Sequence, residues 1–428
     1  MRILVVGTGG REHALALKLS QEGNEVYAAP GNPGIAEFAT LRDVDIMSGP
    51  AIAALAGELS VDLVVVGPEA PLVAGVADAV REAGIAVFGP SQAAAQLEGS
   101  KAFSKDVMSA AGVPTAGSRV ATTPEEAAAA LDEFGAPYVV KDDALAAGKG
   151  VVVTRDREEA LAHAAACERV VIEEFLDGPE VSLFAICDGT RAYALQPAQD
   201  FKRIFDGGKG GNTGGMGAYS PLPWAQPDLA DVVLATVVEP TLAEMEKRGA
   251  PFVGCLYVGL SLTAKGPKVI EFNCRFGDPD SQPVLALLES SLGDLLLAAA
   301  TGALDTVEAP AFSDGASVTV VLASAGYPES SSKGDVITGV GNANSINDVD
   351  VIHAGTAIVD ASTPEEPDHR HLVTAGGRVL AVRAKGYDID DARSRAYAAA
   401  DLITFDGLQR RSDIAAEPLG VVEGASLL

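Results

Sequence analysis

The stretch MRILVVGTGGREHALALKLSQEGNEVYAAP, Met1 to Pro30, decides the fold class. RILVVG at 2–7 is a continuous apolar run ending in glycine. Gly9 and Gly10 follow, a helical pattern covers Glu12 to Glu22, and EVYAA at 25–29 is apolar again. Runs without polar alternation are buried on both faces, as strands of a parallel sheet covered by helices on each side are.

Working outward, the same rhythm continues through the turn PGNPG at 30–34, VDLVVVG at 61–67, a helical pattern over 72–82 and IAVF at 85–88. Residues 1–102 are therefore read as a Rossmann-like α/β domain. A helical stretch at 101–112 ends at Gly112–Pro114. In TPEEAAAALDEF at 123–134, Thr123 is the N-cap, Pro124 the first helical residue and Glu126 the third, a capping box. Strands at 137–141, 150–154 and 169–174 with a second helix over 156–167 make two β-α-β passages, a small unit at 116–187. Beyond it the spacing predicts strands at 181–187, 191–197, 253–263, 268–273 and 317–322, and a long helix near 228–248. An antiparallel pair, 351–358 with 372–384, turns at Gly376–Gly377, and an amphipathic helix covers 388–401. The tail 416–428 carries no pattern and is expected to fray. The expected domains are 1–102, a body at 103–328 that includes the small unit, and 329–428.

Acidic residues number 59 against 31 basic ones, a formal charge of −28, while 48% of residues are apolar. Such a chain has ample core and repels phosphate backbones, so neither a nucleic-acid nor an anionic-membrane partner is expected, and disorder is not either. The 12 lysines against 19 arginines and the dispersed acidic excess point to a salt-rich cytoplasm. The four cysteines form no C-x-x-C pair, which favours buried reduced thiols. No signal-peptide pattern or long apolar span is present, so the expected location is the cytoplasm. The expected assembly is a monomer, with a weak dimer as the alternative.

Five stretches carry chemistry. GTGGREH (Gly7 to His13) joins a strand to a helix, where free N–H groups face an anion. It departs from G-x-G-x-x-G because Glu12 stands at the third glycine, and the strand from Glu25 lacks the usual acidic ribose ligand. A phosphate or polar metabolite is favoured over a nicotinamide cofactor or a plain turn, with Gly10, Arg11, Glu12 and His13 as candidates. GPEAP at 67–71 puts Glu69 at a strand's carboxyl end, where it either binds ligand or complements a helix dipole. KDDALAAGKG (Lys141 to Gly150) is a loop of small residues with Lys141 and Lys149 for phosphates, or else a flexible connection with solvated lysines.

VVIEEFL at 170–176 offers an exposed strand edge to a purine, with Phe175 and Leu176 beside the ring and Glu180 for the ribose. EFNCRFGDPDSQ (Glu271 to Gln282) places Glu271 and Asn273 on one strand face, two oxygen ligands suited to Mg²⁺. Arg275 continues that face and can neutralise a transferring phosphoryl group. GGNTGGMGAY (Gly210 to Tyr219) holds five glycines in ten positions, too many for a stable strand or helix. With Asp200, Lys202 and Arg203 nearby, a substrate clamp is favoured over a disordered tip.

In this order the pieces resemble one family over nearly the whole chain. The stretches are GGREHAL at 9–15, APGNPG at 29–34, VVGPEAPLVAG at 65–75, FGPS at 88–91, LEGSKAFSK at 97–105 and LAAGKG at 145–150. VVIEEFLDG at 170–178, GNTGGMGAYSP at 211–221, VIEFNCRFGDP at 269–279, HAGTA at 353–357 and GGRVLAV at 376–382 complete the set. The chain is similar to the phosphoribosylamine–glycine ligases, also called glycinamide ribonucleotide synthetases, of the ATP-grasp superfamily. The resemblance implies an ATP-grasp fold between an N-terminal Rossmann-like (pre-ATP-grasp) domain and a C-terminal mixed α/β domain. It implies ligation of glycine to 5-phosphoribosylamine with ATP, through a glycyl phosphate.

By that resemblance, Lys105, Lys141 and Lys149 touch the ATP phosphates, while Glu173, Glu174, Phe175 and Leu176 with Glu180 hold adenosine. Glu271 and Asn273 bind Mg²⁺ or Mn²⁺, and Arg275, Lys149 and Asp278 are the catalytic candidates. Gly10, Arg11, Glu12, His13, Glu69, Asp200, Lys202, Asn212, Thr213, Gly214, Gly215 and Met216 line the glycine and ribosylamine end. The small unit at 116–187 is the lid. A locally positive island is expected, built from Lys105, Lys141, Lys149, Lys202, Arg203 and Arg275. The chain departs from the family pattern at Asp142, Ala144, Pro179, Phe201 (usually His), Gly208, Gly211 and Ala415, and Asp142 threatens to repel phosphates. The competing readings are another ATP-grasp carboxylate–amine ligase, a nicotinamide oxidoreductase and a nucleotide-sensing module.

Overall fold

The computed structural model describes residues 1–144, 150–360 and 370–416. Strands β1 (Arg2–Gly7), β2 (Glu25–Pro30), β3 (Thr40–Leu41), β4 (Leu63–Val66) and β5 (Val87–Phe88) form one parallel sheet in the order β3-β2-β1-β4-β5. The alternating side chains of β1 enter two different cores. Ile3 and Val5 join Leu15 and Leu19 of the helix Gly10–Gln21, and Leu4 and Val6 join Ile52 and Val76 on the other face. Both faces are covered, as the apolar runs require.

The small unit holds β6 (Ser118–Ala121), β7 (Tyr138–Asp142), β8 (Val151–Thr154) and β9 (Val170–Glu173), in the order β6-β9-β7-β8 with every neighbour antiparallel. The two β-α-β passages are interlocked: β9 lies between β6 and β7, and β7 between β8 and β9. Its first helix begins as expected, with Thr123 accepting the Glu126 N–H at 3.2 Å and Glu126 returning to Thr123 N–H at 3.2 Å.

Beyond it, β10 (Glu180–Asp188), β11 (Ala192–Ala194), β16 (Val253–Thr263) and β17 (Gly266–Asn273) make the antiparallel sheet β11-β10-β16-β17. Strand β11 is shorter than expected. The long helix is Leu229–Val233, a π segment Leu234–Val238 and Glu239–Lys247. Pro240 supplies no N–H there, which accounts for the wider register just before it.

Between β11 and β16 come β12 (Gln199–Asp200), β13 (Arg203–Phe205), β14 (Lys209–Asn212) and β15 (Gly217–Ser220). The glycine-rich stretch is thus neither a disordered tip nor strand-free, which corrects the expectation. Strand β14 pairs with β13, and β15 lies between β12 and β18 (Ala316–Ala323). Gly217 permits this, because a Cβ there would lie 2.7 Å from Thr319 O. The sheet β12-β15-β18-β22-β19 continues through β19 (Val349–His353) and β22 (Arg378–Gly386), so it draws strands from both sides of residue 328. Two further strands, β20 (Thr356–Asp360) and β21 (Arg370–Thr374), form a separate ribbon. Residues 351–358 do run antiparallel to 372–384. The Gly376–Gly377 turn, however, sits between β21 and β22, which pair with different strands, so it closes no hairpin.

All four cysteines are free thiols, three of them buried. Among the described residues no helix is long and apolar enough to cross a membrane. The tail from 417 lies outside the described residues.

Candidate active site

Glu173, at the end of β9, is 3% exposed and sits between two lysines. Its carboxylate lies 3.2 Å from Lys105 Nζ and 3.0 Å from Lys141 Nζ. Lys105 also donates to Thr115 Oγ1 at 2.8 Å, and Lys141 to the Ile270 carbonyl at 3.0 Å. Burial pushes the Lys105 ammonium down to about 8, aided by Lys141 and opposed by Glu173. The expectation of an exposed edge along 170–176 is corrected here, because β9 is central and paired on both sides. Pairing ends at residue 174: the Glu174 N–H bonds the Gly117 carbonyl, and its side chain turns to Lys268 at 2.8 Å. Among the described residues Phe175 and Leu176 make no hydrogen bond, and Phe175 is 37% exposed. The backbone without hydrogen bonds therefore begins at Phe175 rather than along the strand.

Glu271 lies on β17 beside a bulge at Ile270. Burial pushes its carboxyl up, but Lys202, Lys141, Lys101 and Arg275 outweigh burial and hold it below the usual range. Among the described residues it has no ion pair, so an ionised oxygen pair is left over. Arg275 NH2 is 3.4 Å from Asn273 Oδ1, 2.9 Å from Glu98 Oε1, and its Nε is 3.3 Å from Glu69. Glu98 also accepts the Cys274 N–H at 2.7 Å. The guanidinium is thus fixed by two carboxylates, which keep it charged despite burial. No group of three His, Cys, Asp or Glu side chains suited to a metal occurs among the described residues. One unpartnered carboxylate and one amide oxygen are hard donors that fit Mg²⁺ or Mn²⁺ completed by phosphate oxygens and water.

At the N-terminal loop the structure divides the candidates. Glu12, 2% exposed, accepts the Gly9 N–H at 2.6 Å and Arg11 Nε at 2.6 Å. A Cβ at Gly67 would lie 2.1 Å from Glu12 Oε1, so the carboxylate fills the space an anion would take at this helix start. A dinucleotide pyrophosphate therefore has no room. Arg11 reaches the Phe276 carbonyl at 3.1 Å and approaches Glu69 at 3.9 Å. Burial raises the Glu69 carboxyl, but Arg275 and Arg11 outweigh it and hold it low. Gly10 faces Asp278 and Gln282, since a Cβ would lie 3.1 Å and 2.9 Å from them.

His13 does not face this cleft. It is 4% exposed, its Nδ1 accepts the His353 N–H at 3.0 Å, and the two rings stack at 5.7 Å. Burial, then His353 and Arg383, hold its pKa well below the ordinary value. Met216 is likewise corrected: it is fully buried among Ile204, Val321, Ile352 and Ala381. Both were placed by motif position, and both belong to packing.

Lys202 pairs with Glu180 at 2.6 Å, which joins the expected ribose ligand to the clamp. Thr213 Oγ1 donates to Lys202 O at 2.8 Å and accepts the Gly215 N–H at 3.0 Å. Asn212 closes β14. Burial pushes the Asp200 and Asp280 carboxyls up, and each raises its neighbours. Arg203 donates to the Gly210 carbonyl at 2.8 Å, within its own hairpin. Phe201 is buried under the Arg411 guanidinium at 5.0 Å, where a neutral ring suits the cation. Asp142 lies opposite Lys141 on its strand and its charge is felt by Cys167, so it does not point at the lysine pair. Lys149 and Ala144's neighbours 145–148 are a different matter: Lys149 lies outside the described residues.

The residues missed are Glu98, Asp280, Gln282, Tyr327 and Arg378. Glu98 and Arg378 lie within stretches quoted for the resemblance, but nothing local marks Tyr327.

Comparison with known proteins adds the following. Family models described as phosphoribosylglycinamide synthetase match as N domain at 1–98, ATP-grasp (A) domain at 99–281 and C domain at 317–417. The chain is 60% identical to a phosphoribosylamine–glycine ligase of Streptomyces coelicolor, covering 98% of this chain and 100% of that one. One from Leifsonia xyli is 54% identical, over 97% and 100%. The crystal structure of a Thermotoga maritima phosphoribosylamine–glycine ligase superposes with a TM-score of 0.83 at 32% identity, over 97% and 100% of the two chains.

Proposed function

The chain belongs to the phosphoribosylglycinamide synthetase family of the ATP-grasp fold, and from that premise we propose how its residues divide the reaction. It is an ATP-dependent ligase that joins glycine to 5-phospho-β-D-ribosylamine in purine biosynthesis, giving the ribosylglycinamide, ADP and phosphate.

Lys105 and Lys141, with Lys149, take the nucleotide phosphates. The Phe175–Leu176 backbone takes the purine, and Glu180 the ribose. Glu271 and Asn273 hold Mg²⁺ or Mn²⁺, which when bound neutralises phosphate oxygens and favours in-line attack. Arg275, braced by Glu98 and Glu69, is assigned to the same oxygens. Glycine's carboxylate attacks the γ-phosphorus, ADP leaves, and the ribosylamine nitrogen then displaces phosphate from the glycyl phosphate. Because water would hydrolyse that acyl phosphate, the small unit is assigned as the lid. It is bounded by its own sheet of β6 to β9, since residues 180–187 of the expected 116–187 belong to β10 in the neighbouring sheet. Gly10, Arg11, Glu69, Asp200, Lys202, Asp278 and the loop Asn212–Gly215 are assigned to the glycine and ribosylamine end. His13 and Met216 are not.

The observation that carries this division is the Lys141 bond to Ile270 O, one residue before Glu271. It brings the phosphate cations beside the oxygen ligands. ADP release with ribosylamine generated in situ, with and without glycine, tests the reading. Release that requires both substrates supports it; release with glycine omitted would point to another carboxylate.

A further inference from the structure

Two side chains from the C-terminal part of the chain hold one residue of the glycine-rich loop through both its backbone N–H and its backbone C=O. The Gly214 N–H donates to Tyr327 Oη at 2.9 Å, and the Gly214 carbonyl accepts from Arg378 NH1 at 2.6 Å. The approach is close. A Cβ at Gly214 would lie 3.0 Å from Arg378 Cζ, and one at Gly377 would lie 2.3 Å from the Tyr327 ring. The same guanidinium donates to Asp278 O at 2.5 Å and Asp278 Oδ2 at 3.0 Å. Asp278 Oδ1 in turn accepts from Gln282 Nε2 at 2.9 Å, and both side chains abut Gly10. One planar fork therefore ties β22, the segment after β17 and the glycine-rich loop together, facing the start of the first helix.

We propose that Arg378 and Tyr327 are positioning residues that fix the loop Asn212–Gly215 against Asp278 and so set the ribosylamine end of the site. This rests on the assignment of that loop to the glycine and ribosylamine end, and within it to ribosylamine. A glycine-rich segment has many backbone states, and a residue pinned at both its N–H and its C=O keeps one of them. The guanidinium meets three acceptors from two nitrogens of one rigid fork, which an ammonium on a flexible stem does not reproduce. Among the described residues neither bonds to Lys105, Lys141 or Glu173, so the effect is expected at the ribosylamine KM rather than at the nucleotide phosphates.

The test is steady-state kinetics of Tyr327→Phe, Arg378→Lys and, as a control in the loop itself, Thr213→Ala, with ribosylamine generated in situ. Tyr327→Phe is expected to raise the ribosylamine KM about 3- to 10-fold, the scale of one lost hydrogen bond. Arg378→Lys is expected to raise it at least as much, with the ATP KM within about twofold and an unchanged unfolding temperature for Tyr327→Phe. If Thr213→Ala raises the ribosylamine KM while Tyr327→Phe and Arg378→Lys do not, positioning by these two residues is refuted and the loop assignment stands. If Thr213→Ala also leaves it unchanged, the loop assignment itself has failed. A parallel rise in the ATP KM with a lower unfolding temperature would reduce both residues to general structural supports.

Discussion

Replacing Glu173 by Gln keeps a hydrogen-bond acceptor between Lys105 and Lys141 but removes the charge that opposes loss of the Lys105 proton. Burial already holds Lys105 near 8 with Glu173 in place. At an effective dielectric of about 20, a unit charge 3.2 Å away is worth roughly 5 kcal/mol. That is close to four pK units at about 1.36 kcal/mol each. The retained amide dipole, side-chain relaxation and water entry leave a fraction of it, so a further fall of about 1–2 units is expected. Lys105 in the variant then loses its proton between about pH 6 and 7. The assay is kcat/KM for ATP between pH 6 and 9.5, because that ratio reports ionisations of the free enzyme. The wild type should lose activity above about pH 8, and Glu173→Gln should shift that limb down by at least one unit. An alkaline limb that stays in place, or moves up, would refute the reading of Lys105 as a buried phosphate cation sustained by Glu173.

Glu271→Ala is expected to cut turnover by about 100-fold or more with the fold intact, and near-normal turnover at low Mg²⁺ would remove Glu271 from the ligand set. His353, held by burial at about 4 against an ordinary 6.5, gives an acid-sensitive seam with His13. The unfolded chain takes up this proton first, so the stability it contributes is complete above about pH 6.5 and is lost as pH falls toward 4. The difference, 6.5 minus about 4, corresponds to roughly 3 kcal/mol. Denaturant melts at pH 7.5 and 4.5 should therefore show a smaller acid loss for His353→Asn than for the wild type; equal losses would contradict it. With a formal charge of −28, the unfolding midpoint should rise in molar KCl over dilute buffer, and a flat or falling midpoint would make the acidic surface an ordinary one.

What could be read from the sequence was local. RILVVG, EVYAA and DLVVV are apolar without alternation, and the parallel sheet follows from that alone. Thr123, Pro124 and Glu126 announce a helix start, and the helix starts there. Glu12 in place of a third glycine was legible as a departure; its carboxylate closes the loop it seemed to charge. What was not legible depended on distant chain. The central position of β9 is set by two partners rather than by VVIE itself. The strands within the glycine-rich stretch exist because Gly217 lets β15 lie against β18, a packing gain that overrides low strand propensity. His13 and His353 are separated by 340 residues, and Gly214 and Arg378 by 164, so no spacing rule connects them.

The expected positive island takes a different form in the fold. Lys202 has Glu180, Arg11 has Glu12, Arg378 has Asp278, and Arg275 has both Glu98 and Glu69. At Lys105 and Lys141, two cations sharing Glu173, positive charge exceeds negative. Glu271, Asp200 and Asp280 have no ion pair among the described residues. Burial has already pushed two of these three carboxyls toward the neutral form. A triphosphate therefore meets attraction at the lysine pair and repulsion toward Glu271, unless a divalent cation stands between them. This placement of charge supports the proposed divalent cation as directly as the oxygen donors do. The acidic excess seen along the chain thus reaches into the site, and on the proposed assignment it favours the metal-bound form of the nucleotide over the bare anion.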